Sequence, residues 1–214
     1  MWSYASLLIS GLPWTLAVTA GAFAMGAALG LPVMLAEEST CVPLRLIART
    51  YVNLVRAVPP IVWLFIVYFG VGSSAWLRLT PFGAALIGLG LISSAHLAEI
   101  YRGGMISIGK GQREAAAALN LGPVYSFVDI MAPQAIRVAL PPAAGYAIGL
   151  LKDSAIASAI GVPELTERAN EVAQATLSGL PVYITLAAIY ILMSLPIAWL
   201  ARTVDAQLRA RVAR

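Results

Sequence analysis

The chain has 214 residues, of which 60% are hydrophobic and only 11% charged, with a formal net charge of +4. Too few charged residues are available to coat a water-soluble domain of this size, so the composition excludes an ordinary soluble fold and makes lipid the solvent. The positive balance is small and confined to loops and the tail, which gives no nucleic-acid surface.

Five apolar stretches follow in chain order, each near the roughly 20 residues that a helix needs to cross the hydrocarbon core. They are Leu12 to Ala36, about Pro59 to Leu77, about Pro81 to Ile100, about Val138 to Val162 with Lys152 and Asp153 inside it, and about Leu180 to Ala201. Backbone amides inside lipid must be satisfied within the segment, so these are helices and the chain is an all-α membrane protein with five spans. Short inner loops collect positive charge. With the N-terminus outside, Arg45, Arg49, Arg56, Arg102, Lys110, Arg113, Arg137, Arg202, Arg209, Arg211 and Arg214 fall inside, against Arg78 and Arg168 outside. The C-terminus is then inside as well. Met1-Trp2-Ser3-Tyr4 carries no positive leader and the first apolar run is too long for a signal core, so this end reads as retained. Cys41 is the only cysteine, which excludes an internal disulfide and disfavours a metal cluster. One membrane domain, 1–214, accounts for the chain, with a cytoplasmic loop at about 101–137.

That loop lies in a polar island, Glu99 to Arg137. Its Gly104 to Gly111 stretch comes close to a phosphate-binding loop, but Gly111 stands where a metal-binding hydroxyl is required and an apolar helix precedes it instead of a strand. His96 is the sole histidine, so neither a Ser-His-Asp site nor a multi-histidine metal site has the parts. No catalytic site and no directly bound cofactor or metal is expected. The centre, Arg113-Glu114-Ala115-Ala116-Ala117-Ala118-Leu119, favours helix but is too short to be stable alone in water, so it needs a partner to pack on. Its alanines give a thin surface suited to a groove. Asn120 is able to take the left-handed conformation that ends a helix, and Leu121-Gly122-Pro123 then turns the chain into a second helix. A solvated connector on the membrane surface is the bland alternative.

Glu114-Ala115-Ala116, with Asn120 in a Gly place, Ile130, Ala132 in a Leu place and Pro133, resembles the cytoplasmic signature of ATP-binding-cassette importer permeases. The flanks extend the similarity: Ala98-Glu99-Ile100, Arg102-Gly103-Gly104, Pro133-Gln134-Ala135, Leu140-Pro141-Pro142, Leu150 to Ser154 and Gly161 to Leu165 look like the polar amino-acid branch of those permeases. Departures occur at Ala57-Val58, where the branch has Gly-Thr, and at Trp63, where it has Gln. The resemblance implies a type I importer permease fold and a subunit of the bacterial inner membrane that pairs with an identical or paralogous permease. It further implies two ATPase subunits holding ATP and Mg, and a periplasmic or lipid-anchored solute-binding protein. Arg113, Glu114, Ala115, Ala116, Leu119, Asn120, Leu121 and Gly122 would couple the subunit to the ATPase. The cargo would be a polar amino acid or a zwitterion such as an opine or ectoine, moved by alternating access. A scaffold or channel subunit without ATP-coupled transport is the competing class.

Charged residues within spans are costly and mark candidate pathways. Lys152 and Asp153, about 100° apart around a helix, should meet different surroundings, and Ser154 and Ser158 extend a polar stripe; an interhelical charge bridge is the alternative for the pair. His96 either senses substrate or packs against a neighbour. Glu99 and Arg102, three apart near the inner interface, are expected to form a structural ion pair.

Overall fold

The computed structural model describes residues 2–73 and 77–212; Arg214 and the side chains of Arg113, Arg209 and Arg211 lie outside the described residues. Helices make up the architecture, and no strand occurs among the described residues. They are α1 (Trp2–Leu8), α2 (Leu12–Glu37), α3 (Val42–Ala57), α4 (Pro60–Phe65) continued by a π-helical turn to Val71, α5 (Pro81–Ile106), α6 (Lys110–Ala118), α7 (Pro123–Tyr125), α8 (Ala132–Asp153), α9 (Leu165–Thr176) and α10 (Gly179–Val212). Tyr4–Glu37, Pro81–Ile106 and Gly179–Thr203 are each long and apolar enough to cross a membrane, and α3 with α4 makes a fourth crossing if counted as one broken span. α8 is 22 residues long. It is not among those crossings, and Arg137, Lys152 and Asp153 lie on it.

α5 forms the centre. Small residues let α2 lie directly on it: a methyl group added at Gly26 would stand 2.3 Å from Ser93 Cβ, and one at Gly30 would stand 3.1 Å from the Ala98 amide. Trp14 meets Phe82 edge-on at 5.5 Å. These contacts climb both helices together, so α2 and α5 run parallel. The chain between them must therefore return from the Glu37 end to the Pro81 end. α8 runs the other way along α5, since Tyr146 reaches Ser93 and Gly104 abuts the Ala135 carbonyl.

The return path corrects one expectation. Val42 to Ala57 lies between two of the expected apolar stretches, yet it forms α3, which packs against the middle of α5: Tyr51 donates to the Leu91 carbonyl at 3.0 Å and meets Ser94 Oγ at 2.7 Å. Its arginines dilute the hydropathy, while Ala48, Val52 and Val55 form a buried stripe. At Val58-Pro59 the backbone turns extended and the direction changes by 107°. Pro60 cannot donate a hydrogen bond and disfavours helix at the residue before it, which fixes the break there. Trp63 bridges it, donating from the indole to the Val55 carbonyl at 3.1 Å.

At the far end, α9 caps the bundle. Leu165, Ala169 and Ala173 bury against Leu8, Val182 and Leu186. Glu164 caps α9 by accepting from the Glu167 amide at 2.8 Å.

Candidate functional site: an exposed loop helix and a polar belt

α5 carries the chain out of the bundle to Ile106, and α6 follows after a short turn. Gly109 begins the helix without a side-chain cap. The other end is specified closely: the Leu121 amide donates to Ala116 O at 3.0 Å and the Asn120 amide to Ala117 O at 2.9 Å. This pair of crossed bonds is a Schellman ending, and it requires a left-handed residue before the last donor. Asn120 supplies that conformation with φ 50°. Pro123 then starts α7, and a π-helical turn leads into α8.

Glu114, Ala115, Ala117, Ala118 and Leu119 are exposed on α6, Leu119 to 72%. Leu121 is half-buried, and Asn120 and Gly122 are exposed. Ala116 departs from the expected groove-facing role: it is only 3% exposed. α6 rests on the Ser126–Met131 turn, and Ala116 turns inward there while its neighbours turn out. The Gly104 to Gly111 stretch divides between the end of α5 and the start of α6, with no strand before it.

Within the bundle, polar groups gather along the C-terminal half of α5. His96 is half-buried and stacks on Tyr146 with ring centroids 5.0 Å apart. Tyr146 in turn donates to Ser93 Oγ at 3.0 Å. Toward the α6 end, Arg102 grips Glu99 with two bonds of 2.9 and 2.8 Å, and Arg56 from α3 approaches the same carboxylate at 3.6 Å. The ion pair thus has a third member, brought by the broken helix. Glu37 lies at the same end, 3% exposed, with one carboxylate oxygen lacking a hydrogen-bond partner.

Lys152 and Asp153 end α8 and form no ion pair with one another or with a neighbour among the described residues. Lys152 is exposed and lines a crevice with Tyr183, Tyr190 and Ser194 of α10, whereas Asp153 is half-buried. Ser154 and Ser158 do not form a stripe. The chain tightens to a 3₁₀ helix at Ser154–Ile160, so residues four apart stand about 120° apart instead of on one face. Ser154 is fully buried and both hydroxyls bond to their own helix.

Sequence reasoning took Arg56 only as an inner-side charge and Trp63 only as a departure from the resembled branch, and did not single out Tyr146. The buried stripe of Ala48, Val52 and Val55 at helical spacing was the signal for α3, and with it for Arg56.

A helical bundle with a sharply bent helix pair, α3 and α4, and a short exposed helix between α5 and α8 defines a transport-system permease. Residues 28–210 match the binding-protein-dependent transport system inner membrane component family, and the chain belongs to that family. It is an inner-membrane protein. Among its relatives are the probable amino-acid ABC transporter permease protein YckA of Bacillus subtilis strain 168, 38% identical over 86% of this chain and 80% of that protein. The glutamine transport system permease protein GlnP of Escherichia coli K12 is 30% identical over 98% and 96% respectively. A crystal structure described as an amino acid ABC transporter with histidines superposes with a TM-score of 0.89, at 34% identity, covering 97% of this chain and 96% of that one. An inward-facing structure of the MetNI methionine ABC transporter shares the fold, with a TM-score of 0.80 at 22% identity and 97% coverage of both chains.

Proposed function

We propose that this subunit conducts a polar amino acid into the cell as part of an ATP-driven importer, with α6 as the element that receives motion from a cytoplasmic ATPase. The observation carrying this reading is α6 itself. It is exposed over most of its surface, ends in a Schellman corner, and lies directly between two membrane helices. The relatives named for amino-acid transport support the cargo class.

In this reading the chain crosses five times, N-terminus outside and C-terminus inside. The parallel run of α2 and α5 supports a full return crossing between them, and the Arg and Lys bias supports α6 on the inside. A second permease subunit covers part of the exposed apolar surface, two ATPase subunits bind ATP and Mg and engage α6, and a solute-binding protein delivers cargo at the α9 end. The half-buried His96 and Asp153, with the exposed Arg56, face the zwitterion as it passes. Rocking of the two subunits opens that path to alternate sides.

The test is uptake of labelled amino acids by proteoliposomes holding the complete complex. Uptake that depends on ATP and loaded binding protein, and that is lost in Glu114→Arg with the complex assembled, is expected. ATP-independent flux of the same solutes would establish the channel reading instead.

A further inference from the structure

A crevice of about 380 Å³ opens between α2, α5 and α8, walled by Phe23, Leu31, Met34, Met105, Ala139 and Leu140 among others, all apolar apart from the Tyr101 ring. Along α2 it runs from Phe23 to Met34, and along α8 from Ala132 to Ala143. Eleven residues of helix rise about 16 Å. Half of the ~30 Å hydrocarbon core is nearly the same length. The crevice therefore has the reach of one leaflet, and it lies at the α6 end, since Met34 and Met105 are close to the ends of their helices.

Its rim is open: Leu31 is 44% exposed, Leu140 40% and Ile136 55%. On α8 the exposed Arg137 follows Ile136 and lies one turn from Leu140, beside the lining residues and midway along the 132–143 wall. It forms no ion pair among the described residues. Apolar walls of leaflet length with an unpaired cation beside them match the two parts of a phospholipid. Small side chains at Ala132, Ala135, Ala139 and Ala143, spaced three and four apart, keep the floor on α8 low enough for a chain to lie in it.

We propose that this crevice is a binding site for a phospholipid of the inner leaflet, with one acyl chain between α2 and α8 and its phosphate on Arg137. The leaflet assignment rests on the orientation proposed above. Because α8 continues from the α6 corner, the chain fills the space between the moving loop and the fixed α2 and α5 pair.

The experiment uses the assembled complex in bilayers containing phosphatidylglycerol with a photoreactive diazirine on its acyl chain, followed by peptide mapping of the adducts. Adducts concentrated on 132–143 and 23–34 are expected. Ala139→Trp, which fills the floor, should abolish them, and Arg137→Ala should weaken them, while adducts at Leu192 and Leu195 of α10 persist. Ala143→Leu supplies a milder filling should the tryptophan prevent assembly. Adducts spread evenly over all lipid-exposed helices, adducts that survive the filled crevice, or a protein cross-link from a second copy at these positions would overturn the site. Glu114→Arg should retain the adducts while losing uptake, so failure of the lipid site and failure of the transport reading are separately visible.

Discussion

The Tyr190 hydroxyl donates to the carboxylate of Glu164 at 3.0 Å and meets Thr166 Oγ1 at 3.1 Å, which ties the last helix to the head of α9. The same carboxylate accepts from the Glu167 amide, and Thr15 of α2 holds the adjacent Leu165 amide at 3.1 Å. Glu164 is fully buried, and burial holds its carboxyl above the ordinary value of 4.5 despite these donors.

A raised carboxyl value means that the folded protein binds the proton more tightly than the unfolded chain. Its stabilising contribution is therefore complete below pH 4.5 and is lost as pH rises through the folded-state value. Thermal unfolding of the detergent-solubilised complex should show that decline, and Glu164→Gln should flatten it. Tyr190→Phe removes a partner from a buried acceptor and should cost about 1–3 kcal/mol. A Glu164→Gln profile that parallels wild type would remove Glu164 from this role.

Gly26 and Gly30 on α2 have the same four-residue spacing as Gly145 and Gly149 on α8, but different surroundings. Gly26 and Gly30 are in contact with α5, whereas a methyl group at Gly145 or Gly149 meets nothing within 4 Å. Gly26→Ala should therefore destabilise by about 1–3 kcal/mol through overpacking, while Gly149→Ala should add about 0.5–1 kcal/mol of helix stability. Unfolding midpoints of the two variants decide this. A loss at Gly149 as large as that at Gly26 would place a second subunit against that face.

On α6, substitutions at neighbouring alanines should separate docking from folding. Ala115→Leu adds bulk to an exposed position and should lower substrate-stimulated ATP hydrolysis while the subunit stays as stable as wild type. Ala116→Leu crowds a position that is 3% exposed and should lower stability by about 1–3 kcal/mol. ATPase assays paired with unfolding curves read both effects. Equal stimulation in Ala115→Leu and wild type would argue against a partner groove along that face.

Topology has a direct chemical test. Cys41 is exposed just before α3, and Ser178 is half-buried between α9 and α10, next to the exposed Leu177. In intact spheroplasts an impermeant thiol reagent should label Ser178→Cys in a Cys41→Ser background and leave the native Cys41 untouched. The reverse pattern would invert the orientation.

The membrane class and the α6 loop were legible because they rest on local signals: long uncharged runs, helix-forming alanines, and an asparagine followed by glycine and proline. The bent helix pair of α3 and α4 was not. Arg45, Arg49 and Arg56 make α3 look like an inner loop to any average over residues, and only its packing against α5 reveals a helix within the bundle. The side on which Ala116 lies was equally hidden, because the order of four consecutive alanines carries no sign of which one faces the turn at Ser126–Met131. Ser154 and Ser158 were misaligned for a third reason: the shift from α to 3₁₀ geometry at the end of α8 changes the angle per residue, and composition does not announce it.

The left-handed turn at Asn120 reverses the chain within a few residues, so both connections of α6 lead back into the bundle, one through the end of α5 and the other through the start of α8. A force applied to α6 is consequently divided between two struts of opposite direction. One strut is locked to α2 by glycines that admit no side chain, and the other has room beside it, so equal loads on the two should yield unequal travel. Under the proposed coupling the loop would act as a differential, in which motion goes to whichever helix is less firmly seated.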